Sequence, residues 1–336
     1  MRDSLPVARS KSEVLLEVEK LVEPQVGILK PVDKSWQPSD FLPDLGEAGW
    51  VEEIEEIQKV ALGIPDEVFI ALIGDMITEE ALPSYQSWLT RFEDLQDRNG
   101  TSDTPWARWI RGWTAEENRH GDLLNRYLYL AGRTDMRNVE ATIHHLIKNG
   151  FDPETDDDPY KAFVYTSFQE RATRISHMNV GKLAKVAGDE RLFKISMAIA
   201  TDEARHEEAY KGFAARVLDV DPNGLLLSAA SMFRASVAMP AKLMQDDAGH
   251  DLFSAFSVVA ENLGVYTAND YTDILSHLID YWGLDKLTGL SSEGEEAQEF
   301  ICGLPERYAR IARRKKALKE SIGREWLNQW LKQTGR

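Results

Sequence analysis

Cysteine is almost absent from this sequence. Among its 336 residues only Cys302 could supply a thiol, which excludes intramolecular disulfides, cysteine-ligated iron–sulfur clusters and cysteine-based zinc sites. A metal ion, if the chain binds one, must therefore be held by histidine and carboxylate side chains. A reaction that consumes electrons would need a partner protein to deliver them.

Long hydrophobic runs are missing too. No stretch approaches about 18 consecutive apolar residues, and even FIALIGDMI is interrupted by Asp75. The first residues, MRDSLPVARSKSEV, lack the apolar centre of a secretory signal. We therefore expect a soluble protein that does not act on a membrane.

Positive charge is scarce as well. The 39 Lys and Arg residues against 56 Asp and Glu residues give a net charge of −17, which argues against nucleic-acid binding and against adhesion to anionic membranes. The segment 307–324, RYARIARRKKALKESIGR, is the exception. It reads either as a solvated amphipathic helix or as a docking patch for an acidic partner.

Strand-like alternation at period two is not found, and helical spacing dominates. Long helical segments follow one another from about residue 66, the first spanning about 66–95 with a kink expected at Pro83. Their length and wide apolar faces favour a four-helix bundle with additional packed helices over a coiled coil. We predict an all-α fold in which 1–336 form one domain, with a peripheral N-terminal segment (1–30) and a basic C-terminal segment (305–336).

One short pattern occurs twice, as EENRH at 116–120 and as DEARH at 202–206. Both copies lie on segments with helical spacing. Glu and His three residues apart are about 60° apart around a helix axis, one turn up. Both side chains can therefore bind one ion from the same face of the helix.

Each copy follows another long helix that carries a Glu in an apolar context. A pseudo-twofold arrangement of the two halves would bring four carboxylates and two imidazoles to the centre of the bundle: Glu79, Glu117, His120, Glu170, Glu203 and His206. Four carboxylates neutralise two divalent ions, and this donor set is that of ferritin-like di-iron and di-manganese carboxylate proteins. Oxygen and nitrogen donors alone do not choose between iron and manganese.

Four further residues of the two patterns are expected to support these ligands: Glu116, Arg119, Asp202 and Arg205. Asp202 would orient His120 by accepting a hydrogen bond from the ring nitrogen that does not bind metal. Glu116 would do the same for His206. The two arginines would balance surplus carboxylate charge. Surface ion pairs on amphipathic helices are the alternative interpretation.

The chain resembles the soluble plant-type acyl-acyl carrier protein desaturases over roughly residues 30–305. The stretches that carry the resemblance are WQPSDFLPD, GDMITEEALPSYQ, WTAEENRHGDLLNRYLYLAGR, YTSFQERATRISH, DEARHEEAY, LGVYTANDYTDIL and DKLTGLS. The resemblance implies a ferritin-like bundle that forms a homodimer. It also implies that the six donors bind two iron ions, with Glu117 and Glu203 bridging them.

The implied reaction inserts a cis double bond, of which we favour the Δ9 position, into a saturated 18- or 16-carbon chain on acyl carrier protein. Ferredoxin would supply two electrons and O2 would be the co-substrate. Thr173, one turn after Glu170, matches a residue of the family that faces the oxygen side of the metal cluster. The compartment would be the plastid stroma for a plant chain and the cytoplasm for a bacterial one.

The resemblance also assigns the far end of a substrate channel to four positions: Trp88, Phe92, Pro153 and Ala162. The first two are bulkier than expected for an 18-carbon substrate, which favours a shorter chain unless both rings simply pack in the core. Lys30 and Lys34 are candidates for contacting the acidic carrier protein.

Two other classes of protein use the same kind of four-helix bundle. Iron-storage proteins are usually shorter chains that assemble into shells. A radical-generating ribonucleotide reductase subunit would need a Tyr close to the metals, but the stretches quoted above do not resemble that family.

Overall fold

The computed structural model describes residues 9–235, 237–315 and 323–332. The predicted segments 1–30 and 305–336 are therefore each described only in part. Within the described ranges the chain forms helices, turns and two isolated bridges but no strand. The predicted all-α class is confirmed.

The α-helices are α1 (Lys11–Val18), α2 (Glu23–Val26), α3 (Trp50–Leu62), α4 (Asp66–Glu80), α5 (Leu82–Leu89), α6 (Pro105–Ala131), α7 (Met136–Asn149), α8 (Pro159–Val186), α9 (Glu190–Val220), α10 (Pro222–Ala235), α11 (Leu252–Leu263), α12 (Ala268–Trp282), α13 (Ser292–Cys302) and α14 (Leu304–Lys315). Short 3-10 helices occupy Glu19–Leu21, Val32–Lys34, Pro38–Asp40, Leu284–Lys286 and Arg324–Trp330.

Four helices form the central bundle. Helix α4 packs on α6 and α8, and α9 packs on α6 and, most extensively, on α8. Outside them, α11 lies against α4, α10 and α12 against α8, and α14 against α12. This is the predicted four-helix bundle with additional packed helices.

The starts of the three longest helices are set by capping side chains. Thr104 Oγ1 accepts the backbone N–H of Ala107 at the start of α6, 3.3 Å away. Asp158 caps α8 and Asp189 caps α9 in the same manner. Such caps satisfy N–H groups that have no partner inside the helix. They fix where each helix begins, and hence the height at which its inward side chains lie.

The prediction of one kinked helix over 66–95 is wrong. Helix α4 ends at Glu80, a separate helix α5 covers Leu82–Leu89, and turns follow it. The physical reason is Pro83, which has no N–H to donate to the preceding turn and clashes with it. It stands instead in the first turn of α5, while Tyr85 Oη donates to the carbonyl oxygen of Thr78 at 2.9 Å.

The core of the bundle consists of two apolar clusters. One contains the N-terminal part of α6, including Trp106 and Trp113, and the other contains the C-terminal part of the same helix, including Leu123 and Leu128. Helix α8 is divided between the two clusters in the same sense. Helix α9 is divided in the opposite sense, with its C-terminal part in the first cluster and its N-terminal part in the second. A polar layer therefore crosses the middle of the bundle, at the height of the repeated pattern.

The described part of the C-terminal segment packs on the outside of the bundle. Trp330 is fully buried, and its indole N–H donates to Thr142 Oγ1 at 3.2 Å. Among the described residues, no helix is both long enough and apolar enough to cross a bilayer.

Candidate metal centre

The six predicted ligands lie together in the polar layer, and all of them are buried. Their donor atoms form two groups, each with atoms within 4.8 Å of one another: Glu79, Glu117, His120 and Glu203, and then Glu117, Glu170, Glu203 and His206. The two groups share the carboxylates of Glu117 and Glu203. Two ions held by these groups would therefore be bridged by carboxylates from α6 and α9.

The two histidines point the same ring nitrogen at the shared space. His120 Nδ1 lies 3.0 Å from Glu203 Oε1 and 3.3 Å from Glu117 Oε2. His206 Nδ1 lies 2.6 Å from Glu117 Oε1. Each histidine thus faces a glutamate of the opposite helix, as a pseudo-twofold axis between α6 and α9 requires.

These close approaches are not hydrogen bonds. Both Nδ1 atoms, Glu117 Oε1 and Glu203 Oε1 are buried without a hydrogen-bond partner among the described residues. Each of these atoms therefore has a lone pair that no hydrogen bond uses. Buried polar atoms are normally satisfied, so donors arranged in this way fit a pair of cations.

The pKa values of the cluster lead to the same conclusion. Burial and the Glu117 carboxylate raise the pKa of Glu203 well above its ordinary value, and burial raises that of Glu170. Burial is the largest single influence on His120 and His206 and would lower the pKa of each, but Glu117 and the other carboxylates around each ring together outweigh burial and raise both pKa values well above the ordinary value. Four carboxylates cannot all be ionised here without compensating positive charge. Metal ions would supply that charge in place of protons.

Glu116 accepts a hydrogen bond from the outer nitrogen of the second histidine. His206 Nε2 lies 3.0 Å from Glu116 Oε2, and Arg205 Nη2 reaches the same oxygen at 2.7 Å. Burial opposes ionisation of this carboxylate, but these two partners lower the pKa of Glu116 to about 2. The anion thus holds the ring with Nδ1 turned inward.

The corresponding contact at the first histidine is longer than predicted. Asp202 Oδ2 lies 3.6 Å from His120 Nε2, beyond hydrogen-bond distance. The carboxylate is drawn away by cations, since Arg119 Nη2 lies 3.0 Å and Arg205 Nη2 2.6 Å from its oxygens. The His120 ring is flanked instead by Trp36, whose indole stacks on it with centroids 5.9 Å apart.

Two ligands have partners that were not predicted from the sequence. His177 Nε2 lies 2.7 Å from Glu79 Oε1, and Trp113 Nε1 donates to Glu170 Oε1 at 3.0 Å. His177 follows Glu170 by seven residues, so helical spacing already placed it on the ligand face. Its contact with a glutamate of α4 depends on tertiary packing, which spacing cannot reveal.

A cavity of about 690 Å³ adjoins the cluster. Glu79, Thr173 and His177 are part of its wall, and apolar side chains of 237–241, α11, α12 and α14 form much of the rest. Thr173 Oγ1 donates to the carbonyl oxygen of Gln169 at 2.9 Å. The cavity thus connects one edge of the metal-ligand layer with the outer helices.

The four predicted channel residues are buried but do not form part of the cavity wall: Trp88, Phe92, Pro153 and Ala162. Trp88 and Phe92 belong to a cluster of aromatic rings in which Trp88 packs against Tyr165 at 5.3 Å. Tyr165 Oη donates to the carbonyl oxygen of Ala238, whose two chain neighbours line the cavity. The ring cluster therefore lies one layer behind the wall.

The two predicted docking lysines differ in environment. Lys34 is exposed. Lys30 is turned inward, with Nζ 3.4 Å from Asp202 Oδ1 and its backbone N–H donating to Glu116 at 2.8 Å. It lies behind the imidazoles, whereas the cavity is reached from α4 and α8.

A four-helix bundle whose buried centre holds four glutamates and two histidines defines the class of ferritin-like dimetal carboxylate proteins. The family described as "Fatty acid desaturase" matches residues 10–331. The chain belongs to this family.

Several relatives are similar over most of the chain. A stearoyl-[acyl-carrier-protein] 9-desaturase of Olea europaea is 55% identical over 287 residues, 85% of this chain and 74% of that protein. An acyl-[acyl-carrier-protein] 6-desaturase of Thunbergia alata is 48% identical over 318 residues, 94% and 82% of the two chains. The X-ray structure of DesA2 from Mycobacterium tuberculosis H37Rv shares the fold, with a TM-score of 0.51 at 17% identity, over 85% of this chain and 99% of that one.

Removing the carboxylate behind His206 tests the site. In Glu116→Ala we expect Co²⁺ or Fe²⁺ affinity to fall roughly 10- to 100-fold, because the ring loses the acceptor that orients it. Asp122→Ala is the matched control on the same helix, since Asp122 pairs with Arg126 at the surface and such pairs contribute little. Metal titration, with circular dichroism to verify the fold, gives the result. Unchanged affinity in Glu116→Ala would contradict the assigned role.

Proposed function

We propose that the protein is a diiron, O2-dependent acyl-[acyl-carrier-protein] desaturase of fatty acid biosynthesis. It would insert a cis double bond, at Δ9 in our proposal, into a saturated 18- or 16-carbon chain. The observation that carries the proposal is the cavity whose wall includes a cluster ligand, Glu79. An iron-storage protein has no use for a large, mainly apolar cavity beside its metals. Membership of the desaturase family supports the same conclusion.

Two iron ions, cycling between Fe²⁺ and Fe³⁺, fit the donor set. Glu79 with His120 would hold one ion, Glu170 with His206 the other, and Glu117 and Glu203 would bridge them. The four carboxylates match the four positive charges of two ferrous ions. When bound, the irons supply from O2 the strong oxidant that an unactivated methylene requires.

The contribution of the chain itself is positioning. The cavity would exclude water and hold one methylene pair beside the cluster, which converts a difficult encounter into a reaction between fixed groups. Thr173 lines the cavity near Glu79, and we propose its hydroxyl as the hydrogen-bond donor on the oxygen side of the metals. His177 keeps one oxygen of Glu79 in place.

The proposed partners follow from the reaction. The relatives are named for substrates on acyl carrier protein, and we propose the same carrier here. Ferredoxin would deliver the electrons, because the chain has no Cys-ligated cluster of its own, and the functional form would be a homodimer. The Olea europaea relative is called chloroplastic. We propose the plastid stroma for a plant source and the cytoplasm for a bacterial one.

Product analysis tests the function directly. Iron-loaded protein with stearoyl- or palmitoyl-acyl carrier protein, reduced ferredoxin and O2 should yield a cis-monounsaturated acid, identified by mass spectrometry after derivatisation of the double bond. Glu203→Ala, which removes a bridging carboxylate, should abolish the product. Iron oxidation without any unsaturated product in the wild type would refute the proposal and favour storage.

Chain length tests the role of the ring cluster behind the cavity. We propose that Trp88 and Phe92 shorten the space for the end of the chain, so that the wild type prefers 16 carbons. The double variant Trp88→Met/Phe92→Leu should shift the ratio of kcat/KM towards 18 carbons. Trp106→Met is the control, because this buried ring packs against Phe163 and Phe213 instead. A strong preference of the wild type for 18 carbons would end this idea.

Charge-reversal variants test where acyl carrier protein docks on the surface. The proposed docking cation Lys34 is exposed, but α14, whose Tyr308 lines the cavity, also exposes Arg310. Lys34→Glu should raise KM for acyl carrier protein several-fold at low ionic strength, with kcat unchanged and the difference vanishing at high salt. If only Arg310→Glu behaves in this way, docking at Lys34 is wrong.

A further inference from the structure

The metal site has two similar halves, Glu79 with His120 on α4 and α6, and Glu170 with His206 on α8 and α9. The two halves differ at the residues that directly follow these ligands. In the first half Glu80 follows Glu79 and Gly121 follows His120. A Cβ atom on Gly121 would lie 3.3 Å from the backbone nitrogen of Glu80 and 3.4 Å from the carbonyl carbon of Glu79. Helices α4 and α6 therefore touch backbone to backbone beside their ligands.

The second half has charged residues at the same two places. Arg171 follows Glu170 on α8, and Glu207 follows His206 on α9. Arg171 Nη1 lies 2.9 Å from Glu207 Oε1, so an ion pair joins the two helices one residue from a ligand on each. The Glu207 side chain is only 2% exposed. This is a buried bridge rather than a surface pair.

Three more groups converge on Glu207. Lys211 Nζ lies 2.9 Å and His277 Nε2 3.1 Å from Oε1, and Arg174 Nη1 lies 3.4 Å from Oε2. They come from α8, α9 and α12. Although burial opposes ionisation, Lys211 and Arg171 lower the pKa of Glu207 below its ordinary value. Charged hydrogen bonds to a buried carboxylate are strong, and removing one partner leaves the others uncompensated.

We propose that Glu207 is a positioning residue that holds Glu170 and His206 in register, and that it acts on the second group of donors rather than on the first. This inference rests on the proposed dimetal site. Glu207 contributes no atom to either donor group and does not line the cavity. A slide of α8 along α9 by one residue, about 1.5 Å, would break the bridge and separate the two ligands.

The asymmetry between the halves makes the proposal specific. The Glu79–His120 half is set by the close approach at Gly121, which does not depend on charge. The Glu170–His206 half depends on an ion pair. Neutralising Glu207 should therefore lower the affinity for one of the two metal ions and leave the affinity for the other unchanged.

A stepwise Co²⁺ titration of the full-length, metal-free protein tests this, followed by the visible absorbance of bound Co²⁺. The wild type should take up two ions per chain. In Glu207→Gln the first ion should bind as in the wild type, and the second about tenfold or more weakly, within the range known for lost supports of metal ligands. Glu208→Gln is the matched control, because Glu208 is the next residue, is half exposed and pairs with Lys211 at 3.3 Å.

The outcomes separate the two claims. If the wild type binds no Co²⁺, the proposed dimetal function fails. If the wild type binds two ions and Glu207→Gln binds both equally well, only the positioning role fails. Equal weakening of both ions, together with lost helix content, would show a general structural role and also overturn the inference. Should Glu207→Gln not fold, Arg171→Gln removes the α8 end of the same bridge, leaves Lys211 and His277 on Glu207, and must give the same one-ion loss.

Discussion

The structure depends on the repulsion among four carboxylates enclosed in an apolar bundle. Glu79, Glu117, Glu170 and Glu203 share one buried layer. Burial and the neighbouring carboxylates oppose ionisation there, and they raise the pKa of Glu203 and Glu170 above the ordinary value. Such an arrangement is stable only where positive charge is supplied, either by protons on the two imidazoles or by metal ions. Cationic side chains around the layer supply part of that charge, and the apolar clusters of the core keep the metal-ligand residues away from water.

Positive charge is arranged in shells around this layer. Behind the imidazoles, Arg119, Arg205 and Lys30 compensate Glu116 and Asp202. On the opposite side of α9, the cations around Glu207 compensate the charge of a carboxylate that belongs to neither group of metal ligands. The apolar clusters at either end of the bundle keep the layer dry, so each of these charged contacts is stronger than it would be at the surface. The cavity of about 690 Å³ reaches this layer at Glu79.

Much of the metal site could be predicted from the sequence, because side chains recur on one face of a helix with a fixed period. A Glu-x-x-His spacing puts both groups on one face whatever the surroundings, and two copies with two isolated glutamates implied the six-donor cluster. Contacts between helices could not be read in this way. Four such contacts depend on how distant segments pack: the inward turn of Lys30, the Trp113–Glu170 hydrogen bond, the 3.6 Å gap at Asp202, and the three cations and one imidazole around Glu207. The proline at position 83 predicted a kink, but the sequence did not show that the helix would end at Glu80 and a second helix begin at Leu82.

The order of the elements along the chain has a consequence for assembly during synthesis. All six donors are synthesised before α9 ends at Val220, yet the cavity wall needs residues as late as Ala312 on α14. A nascent chain could thus acquire metal ions before the cavity beside them is complete. For that interval a redox-active centre would face solvent, and rapid docking of the last helices would protect the chain from its own oxidative chemistry.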